Sequence, residues 1–217
     1  MEKTLVLLAA GMGSRYGGLK QMEGFGPEGE TLLEYNLYDG LQKGFSKAVF
    51  IIRKSMEMDF RDRVLQRLEK DLKIEVVFQE LELSAEEQKG VGREIPLREK
   101  PWGTGHALLS ALPVLKDPFV VLNADDFYGA GAFAEAADFL EDGQAAPALA
   151  GLIAYRLEQT LSSHGSVSRG VLEQDADGFL KGIQERHQIE RKTEGIQYLE
   201  QATQRKYNLG GKTLEIG

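Results

Sequence analysis

Apolar residues fall along this chain in two patterns. Leu5 to Ala9, Ala48 to Ile52, Ile74 to Phe78 and Phe119 to Leu122 are continuous or nearly continuous apolar runs. Such runs suit strands buried on both faces, as in a parallel sheet. Between them, apolar residues recur four apart: Leu33, Leu37 and Leu41, then Phe60, Val64 and Leu68. That spacing is helical. A turn at Pro27-Glu28-Gly29-Glu30 leads to Thr31, with Glu34 three residues on, a capping box that starts a helix stopping near Gly44. A second, highly charged helix spans Met56 to Lys70. Thr104 to Leu112 and Ala132 to Leu140 also read as helices, and Ala148 to Tyr155 as another strand. The order β-α-β-α-β with short links implies parallel strands joined by right-handed crossovers. The expected class is α/β: a mostly parallel, Rossmann-like sheet with helices on both faces.

Two stretches break the pattern. Glu80 to Lys100 is charged and without clear period. A loop of that length inside a compact domain is usually a functional lid or a mobile segment. After residue 150 the chain changes character. Val167 to Glu173, the turn Asp175-Ala176-Asp177-Gly178, and Phe179 to Gln184 form a hairpin-like pair. A smaller antiparallel part is therefore expected there. Glu190 to Lys206 is charged and poorly periodic, and Thr213 to Ile216 suits one more short strand. No internal repeat or domain-scale linker interrupts residues 1–217, which read as a single domain with a core over 1–155 and an added part over 156–217.

Composition narrows the function classes. The chain has 217 residues, enough for one α/β domain with a sizeable core. At 42% hydrophobic and 28% charged it is a globular sequence. It contains no cysteine, which excludes disulfides and thiol chemistry and fits a reducing cytoplasm. No apolar run approaches the roughly 20 residues of a membrane helix. MEKTLVLLAA lacks a long apolar region and a cleavage site, so no export signal is read there. The expectation is a cytoplasmic protein that engages no membrane. A net charge of −8 argues against nonspecific nucleic-acid binding. A small nucleotide ligand stays open, because a pocket can be basic within an acidic whole.

The candidate chemistry starts after the first apolar run, in LVLLAAGMGSRYGGLKQ. Gly11, Gly13, Gly17 and Gly18 let backbone N–H groups approach a ligand closely, and Arg15 and Lys20 add two cations. Such a loop suits several phosphates. An ordinary Gly-rich turn would use the same glycines. The loop is not a Walker A loop, because Leu19 stands where Lys should be, and not a dinucleotide fingerprint, because Tyr16 replaces the third glycine. In open α/β sheets ligands bind beyond the carboxyl ends of the strands. Three such ends carry polar residues of interest: Gly11 to Lys20, Gln79, and Asp125-Asp126. The paired carboxylates suit Mg²⁺, which takes one or two of them plus phosphate oxygens. A helix cap or turn would use the same pair.

What remains after these exclusions is G-x-G-x-R followed by Lys20, and here the chain resembles the nucleotidyltransferases that make nucleotide sugars. Their signature is a first-strand LAAG-x-G-x-R loop followed by Lys. Strand-then-Asp resembles their metal motif, and Lys100-Pro101-Trp102-Gly103-Thr104-Gly105-His106-Ala107 resembles the GTGHA segment of bacterial N-acetylglucosamine-1-phosphate uridylyltransferases. The resemblance runs to about Arg186. It implies a GT-A-like nucleotidyltransferase fold whose later part binds the acceptor. It implies nucleotide binding by Ala10, Gly11, Gly13, Gln79, Gly103 and Thr104. It implies catalytic roles for Arg15, Lys20 and Asp125, with Mg²⁺ on Asp125 and Asp126 as the auxiliary candidate. Gly165 and Glu185 match acceptor-binding positions. His106 reads as a residue at a helix start, Trp102 as either packing the lid or stacking on a ligand, and Arg186 as a solvated charge.

The implied partners are an NTP, UTP favoured, and a phosphorylated small molecule, a sugar 1-phosphate favoured; the products are an NDP-sugar and pyrophosphate. Two alternatives stay open. The short loop ending in Lys20-Gln21 also resembles cytidylyltransferases acting on phosphorylated alcohols. A nucleotide-binding domain without catalysis is the other, because the family's second metal ligand, a carboxylate or Asn after the acceptor part, has no match here. Either the sequence stops short of that segment or the ligand is replaced. The acceptor and the oligomeric state are not specified by any motif.

Overall fold

A computed structural model describes residues 2–11, 24–68, 72–91, 100–142 and 149–209, and the backbone of 214–216. The chain divides into two compact units, Met1–Pro147 and Ala148–Gly217.

In the first unit, β1 (Lys3–Leu8), β2 (Phe45–Ile52), β3 (Lys73–Phe78) and β4 (Phe119–Asn123) form a parallel sheet in the order β3-β2-β1-β4. The central runs form β1 and β2, which are covered from both sides, while the edge strands β3 and β4 are only partly buried. Leu5 pairs with Ala48 and Leu7 with Phe50, while Val6 pairs with Val49 and Leu8 with Ile51. Paired residues point the same way, so the two sets line opposite faces.

Helices cover both. On the Leu5–Phe50 face lies α1 (Leu32–Gln42), whose Gly40 sits so close to β1 that a Cβ there would come within 2.7 Å of Leu5 Cδ1. Beside it lies α6 (Gly129–Asp142), with Phe133 edge-on to Phe45 at 6.3 Å. The same face holds the helical stretch made of a 3₁₀ turn (Lys54–Met56), α2 (Glu57–Phe60), a π-helical stretch (Arg61–Leu65) and α3 (Gln66–Leu68). Phe60 of that stretch meets Phe50 at 5.0 Å. Burying each of these fully covered rings contributes on the order of 1.5–3 kcal/mol. The opposite face packs α5 (Thr104–Ala111) through Ala107 and Ala111 against Val6, Val49 and Ile51. The α/β class expected from the sequence is the class found.

The capping box is present as read. The Glu34 N–H donates to Thr31 Oγ1 at 3.2 Å and the Thr31 N–H donates to Glu34 Oε2 at 2.7 Å. Part of the charged stretch 80–100, expected as loop, is helical: α4 (Ala85–Val91) buries none of its residues, so it leaves no apolar stripe to be read.

The second unit is antiparallel. Among the described residues its sheet runs β5-β10-β6-β7-β8-β9, with β5 (Ala154–Arg156), β6 (Val167–Gln174), β7 (Leu180–Lys192), β8 (Gly195–Glu200), β9 (Arg205–Leu209) and β10 (Leu214–Ile216). The hairpin expected at Asp175–Gly178 is there: the Phe179 N–H donates to Asp175 Oδ1 at 2.9 Å. One expectation is corrected. The strand expected over Ala148–Tyr155 shrinks to Ala154–Arg156 and pairs antiparallel with β10, while Leu149 and Leu152 are about half exposed. The stretch Glu190–Lys206, read from the sequence as charged and poorly periodic, carries the end of β7, all of β8 and the start of β9. Its strands escape notice because only Ile196 and Tyr198 turn into the small core around Leu157 and Ile189.

Candidate functional site

The strand order decides where a ligand can go. The chain winds from β1 outward to β3, then returns across to β4 on the other side of β1. The crevice of an open sheet opens where the order reverses, beyond the carboxyl ends of β1 and β4. These two strands end together. Leu8 is paired with Asn123, and the Ala124 N–H donates to Leu8 O at 3.2 Å. Ala9 and Ala10 continue β1 as buried residues and Gly11 emerges exposed. Asp125 and Asp126 emerge exposed at the neighbouring end. A Cβ at Gly11 would meet nothing within 4 Å, so the glycine leaves open space. Gly13, Arg15 and Lys20 lie outside the described residues.

The turn after β4 is tightly bonded. Asn123 Nδ2 donates to Asp126 Oδ2 at 2.8 Å, and the Asn123 N–H donates to Tyr128 Oη at 2.9 Å. Asn36 of α1 donates to Asp126 O at 2.7 Å and accepts from the Tyr128 N–H at 3.3 Å. Mg²⁺ is held by one or two carboxylates, phosphate oxygens and waters. Asp125, exposed at this edge, fits such a shared ion. Among the described residues no three His, Cys, Asp or Glu side chains converge.

A second cluster lies beyond β3. The Gln79 N–H extends the sheet by donating to Ile52 O at 2.9 Å, and its side chain is 3% exposed. Gln79 Nε2 donates to Gly103 O at 3.0 Å and to His106 Nδ1 at 3.2 Å. Because the carbonyl of Gly103 only accepts, the amide orientation is set, and His106 carries its hydrogen on Nε2. That nitrogen faces Glu87 Oε1 at 3.3 Å. Gly103 sits at φ 101° and ψ −176° as the N-cap of α5, a conformation that only glycine adopts without strain. Trp102 Nε1 donates to Leu81 O at 2.8 Å, so its indole N–H is engaged by the segment before α4. Hydrogen bonds from Ser84, and then His106, hold the Glu87 carboxyl below its usual range.

In the second unit, Gly165 lies at φ 149° in an exposed turn, and Glu185 is exposed on β7 opposite Gly170. Arg186, expected as a solvated charge, is not one. Its Nη1 donates to Glu200 Oε2 at 2.6 Å and its guanidinium lies 4.3 Å over the Tyr198 ring. Asn36 and Glu87 were not singled out by motif. The available signal for Asn36 was a polar residue inside the buried Leu33, Leu37, Gly40 stripe of α1.

No family model and no curated protein matches the sequence. Solved structures match it in fold. HddC from Yersinia pseudotuberculosis, complexed with GMP-PN, is similar at 15% identity over 100% of this chain and 77% of that one, with a TM-score of 0.56. A UTP-bound UGPase from Acinetobacter baumannii is similar at 16% identity over 100% and 74%, with a TM-score of 0.50. A UDP-glucose pyrophosphorylase from the same organism is similar at 18% identity over 85% and 67%, with a TM-score of 0.50. At these identities the shared property is architecture: this chain has the fold of sugar-phosphate nucleotidyltransferases.

Proposed function

We propose that this chain is a nucleotidyltransferase that moves a nucleoside monophosphate from an NTP, UTP first, to a phosphorylated acceptor, a sugar 1-phosphate first. The products are an NDP-sugar and pyrophosphate. The observation that carries the reading is the joint emergence of Gly11 and Asp125 from adjacent strands at the reversal of strand order. A triphosphate laid across that edge meets amide N–H groups on one side and a carboxylate on the other.

The acceptor phosphate is already an anion, so the reaction needs no general base. An acceptor oxygen bonds to the α-phosphorus as the α–β bridging bond breaks and pyrophosphate leaves. Positioning and charge neutralisation then supply the rate. Gly11 and Gly13 amides and Arg15 would hold the β- and γ-phosphates, and Lys20 would lie between nucleotide and acceptor charge. Asp125 would hold Mg²⁺, which when bound neutralises phosphate charge. Gln79, Gly103 and Thr104 would meet the base, and Gly165 and Glu185 the acceptor. Gln79 Nε2 is engaged by Gly103 and His106, so a contact with the base would use its oxygen as acceptor.

The test is pyrophosphate release with UTP, CTP or GTP against a panel of sugar 1-phosphates and phosphorylated alcohols, with Mg²⁺. A thermal-shift screen chooses the nucleotide first, since a ligand at about 100 times its Kd stabilises by about 2.7 kcal/mol. Removing one preorganised charge contact typically costs about 10²–10³ in rate, and that is the loss expected for Asp125→Ala and Lys20→Ala in folded protein. Undiminished turnover in Asp125→Ala removes the metal assignment. Failure of every NTP to bind or turn over removes the proposal.

A further inference from the structure

We propose that Asn36, on α1, is a positioning residue that holds the acidic turn after β4 in shape. The inference rests on the reading of Asp125 as the carboxylate that meets the nucleotide's metal. Asn36 is completely buried, and both ends of its amide are committed to this turn. Nδ2 donates to Asp126 O at 2.7 Å, and Oδ1 accepts from the Tyr128 N–H at 3.3 Å. The turn is also closed from within. Tyr128 Oη accepts from the Asn123 N–H at 2.9 Å, and Asp126 Oδ2 accepts from Asn123 Nδ2 at 2.8 Å.

Three of these bonds hold the backbone on both sides of Asp125, the fourth joins the Asn123 and Asp126 side chains, and Asp125 stands at the surface. Asp126 thereby acts through the turn: one of its oxygens closes the loop and its carbonyl receives the clamp. A ligand carboxylate on a turn is only as well placed as the turn's backbone, and supporting hydrogen bonds around a ligand typically change metal affinity by about 10–100-fold. Asn36 also ties α1, which begins after the Gly-rich region, to the acidic turn.

The test uses the full chain as Asn36→Ser and as Tyr128→Phe. The second variant removes only the phenol oxygen and disturbs the core less. One readout is Mn²⁺ binding in the presence of UTP, followed by electron paramagnetic resonance, with the Mg²⁺ midpoint of pyrophosphate release beside it. The other is backbone amide hydrogen exchange over residues 124–128 without nucleotide. In both variants the metal midpoint is expected to rise about tenfold or more, exchange at 124–128 to accelerate, and the circular dichroism spectrum to stay native. A lowered melting temperature with wild-type metal midpoint and wild-type exchange at 124–128 overturns the proposal, because Asn36 is then core packing alone. If the wild-type chain neither binds UTP nor releases pyrophosphate, the transferase reading fails by itself. Exchange then still decides this inference: acceleration supports it and no change overturns it.

Discussion

Replacing Gln79 by Leu tests how the Gly103 turn is held. The substitution keeps most of the volume of a side chain that is 3% exposed. It removes two hydrogen bonds, to Gly103 O at 3.0 Å and to His106 Nδ1 at 3.2 Å. The two losses are unequal. Gly103 O keeps the Ala107 N–H at 3.1 Å, so its desolvation is partly covered. His106 Nδ1 loses the donor that faces it, and the His106 side chain is 11% exposed. An unsatisfied buried acceptor costs about 1–3 kcal/mol, and a hydrogen bond that leaves its partner satisfied about 0.5–1.5 kcal/mol. Leu returns part of this by burying apolar surface. The expected net loss is about 1–3 kcal/mol, measured by urea unfolding of the full chain. The melting temperature should fall by about 3–9 °C, taking roughly 3 °C per kcal/mol for a chain of this length. Gln79→Glu should be worse near neutral pH, because it aims a carboxylate at a carbonyl, and should recover on acidification. A Gln79→Leu chain as stable as wild type would refute the argument that this amide is a structural clamp.

Three further outcomes follow from the same geometry. Gly103→Ala meets no steric neighbour within 4 Å but forces a side chain onto φ 101°, so it should cost about 1–3 kcal/mol by backbone strain alone, seen as a lowered urea midpoint with an unchanged slope. Thr31→Ala removes the Oγ1 acceptor of the Glu34 N–H and should destabilise by about 0.5–2 kcal/mol, measured the same way. The Glu87 carboxyl is lowered by Ser84 and then by His106. Its contribution is therefore complete above the ordinary glutamate value of about 4.3 and lost as pH falls through the lowered one. Hydrogen exchange in α4 should accelerate over that acid window in wild type, and Glu87→Gln should flatten the dependence.

The parallel core was legible because its central strands are buried on both sides. A segment such as Leu5 to Ala9 must then be apolar throughout, whatever its neighbours. Thr31 and Glu34 were legible because a capping box is local chemistry. The second unit was harder. Its strands bury few side chains, so β8 and β9 read as charged sequence, while the apolar residues at 149–153 read as a strand they do not form. α4 buries nothing and so shows no period. Arg186 was misjudged because its partners, Glu200 and Tyr198, stand on the next strand rather than nearby in sequence.

Sequence alone determined the composition of the parallel strands and the start of α1, which follow from local burial and local hydrogen bonding, and its motifs supplied Gly11 and Asp125 as candidates. Only the tertiary structure decided that β1 and β4 are neighbours, that Gln79 bonds Gly103, and that Asn36 reaches the turn after β4. Those pairings join residues 24 to 115 positions apart in the chain. No local pattern encodes such a pairing, because it is selected by how the whole sheet closes and which buried polar groups it must satisfy.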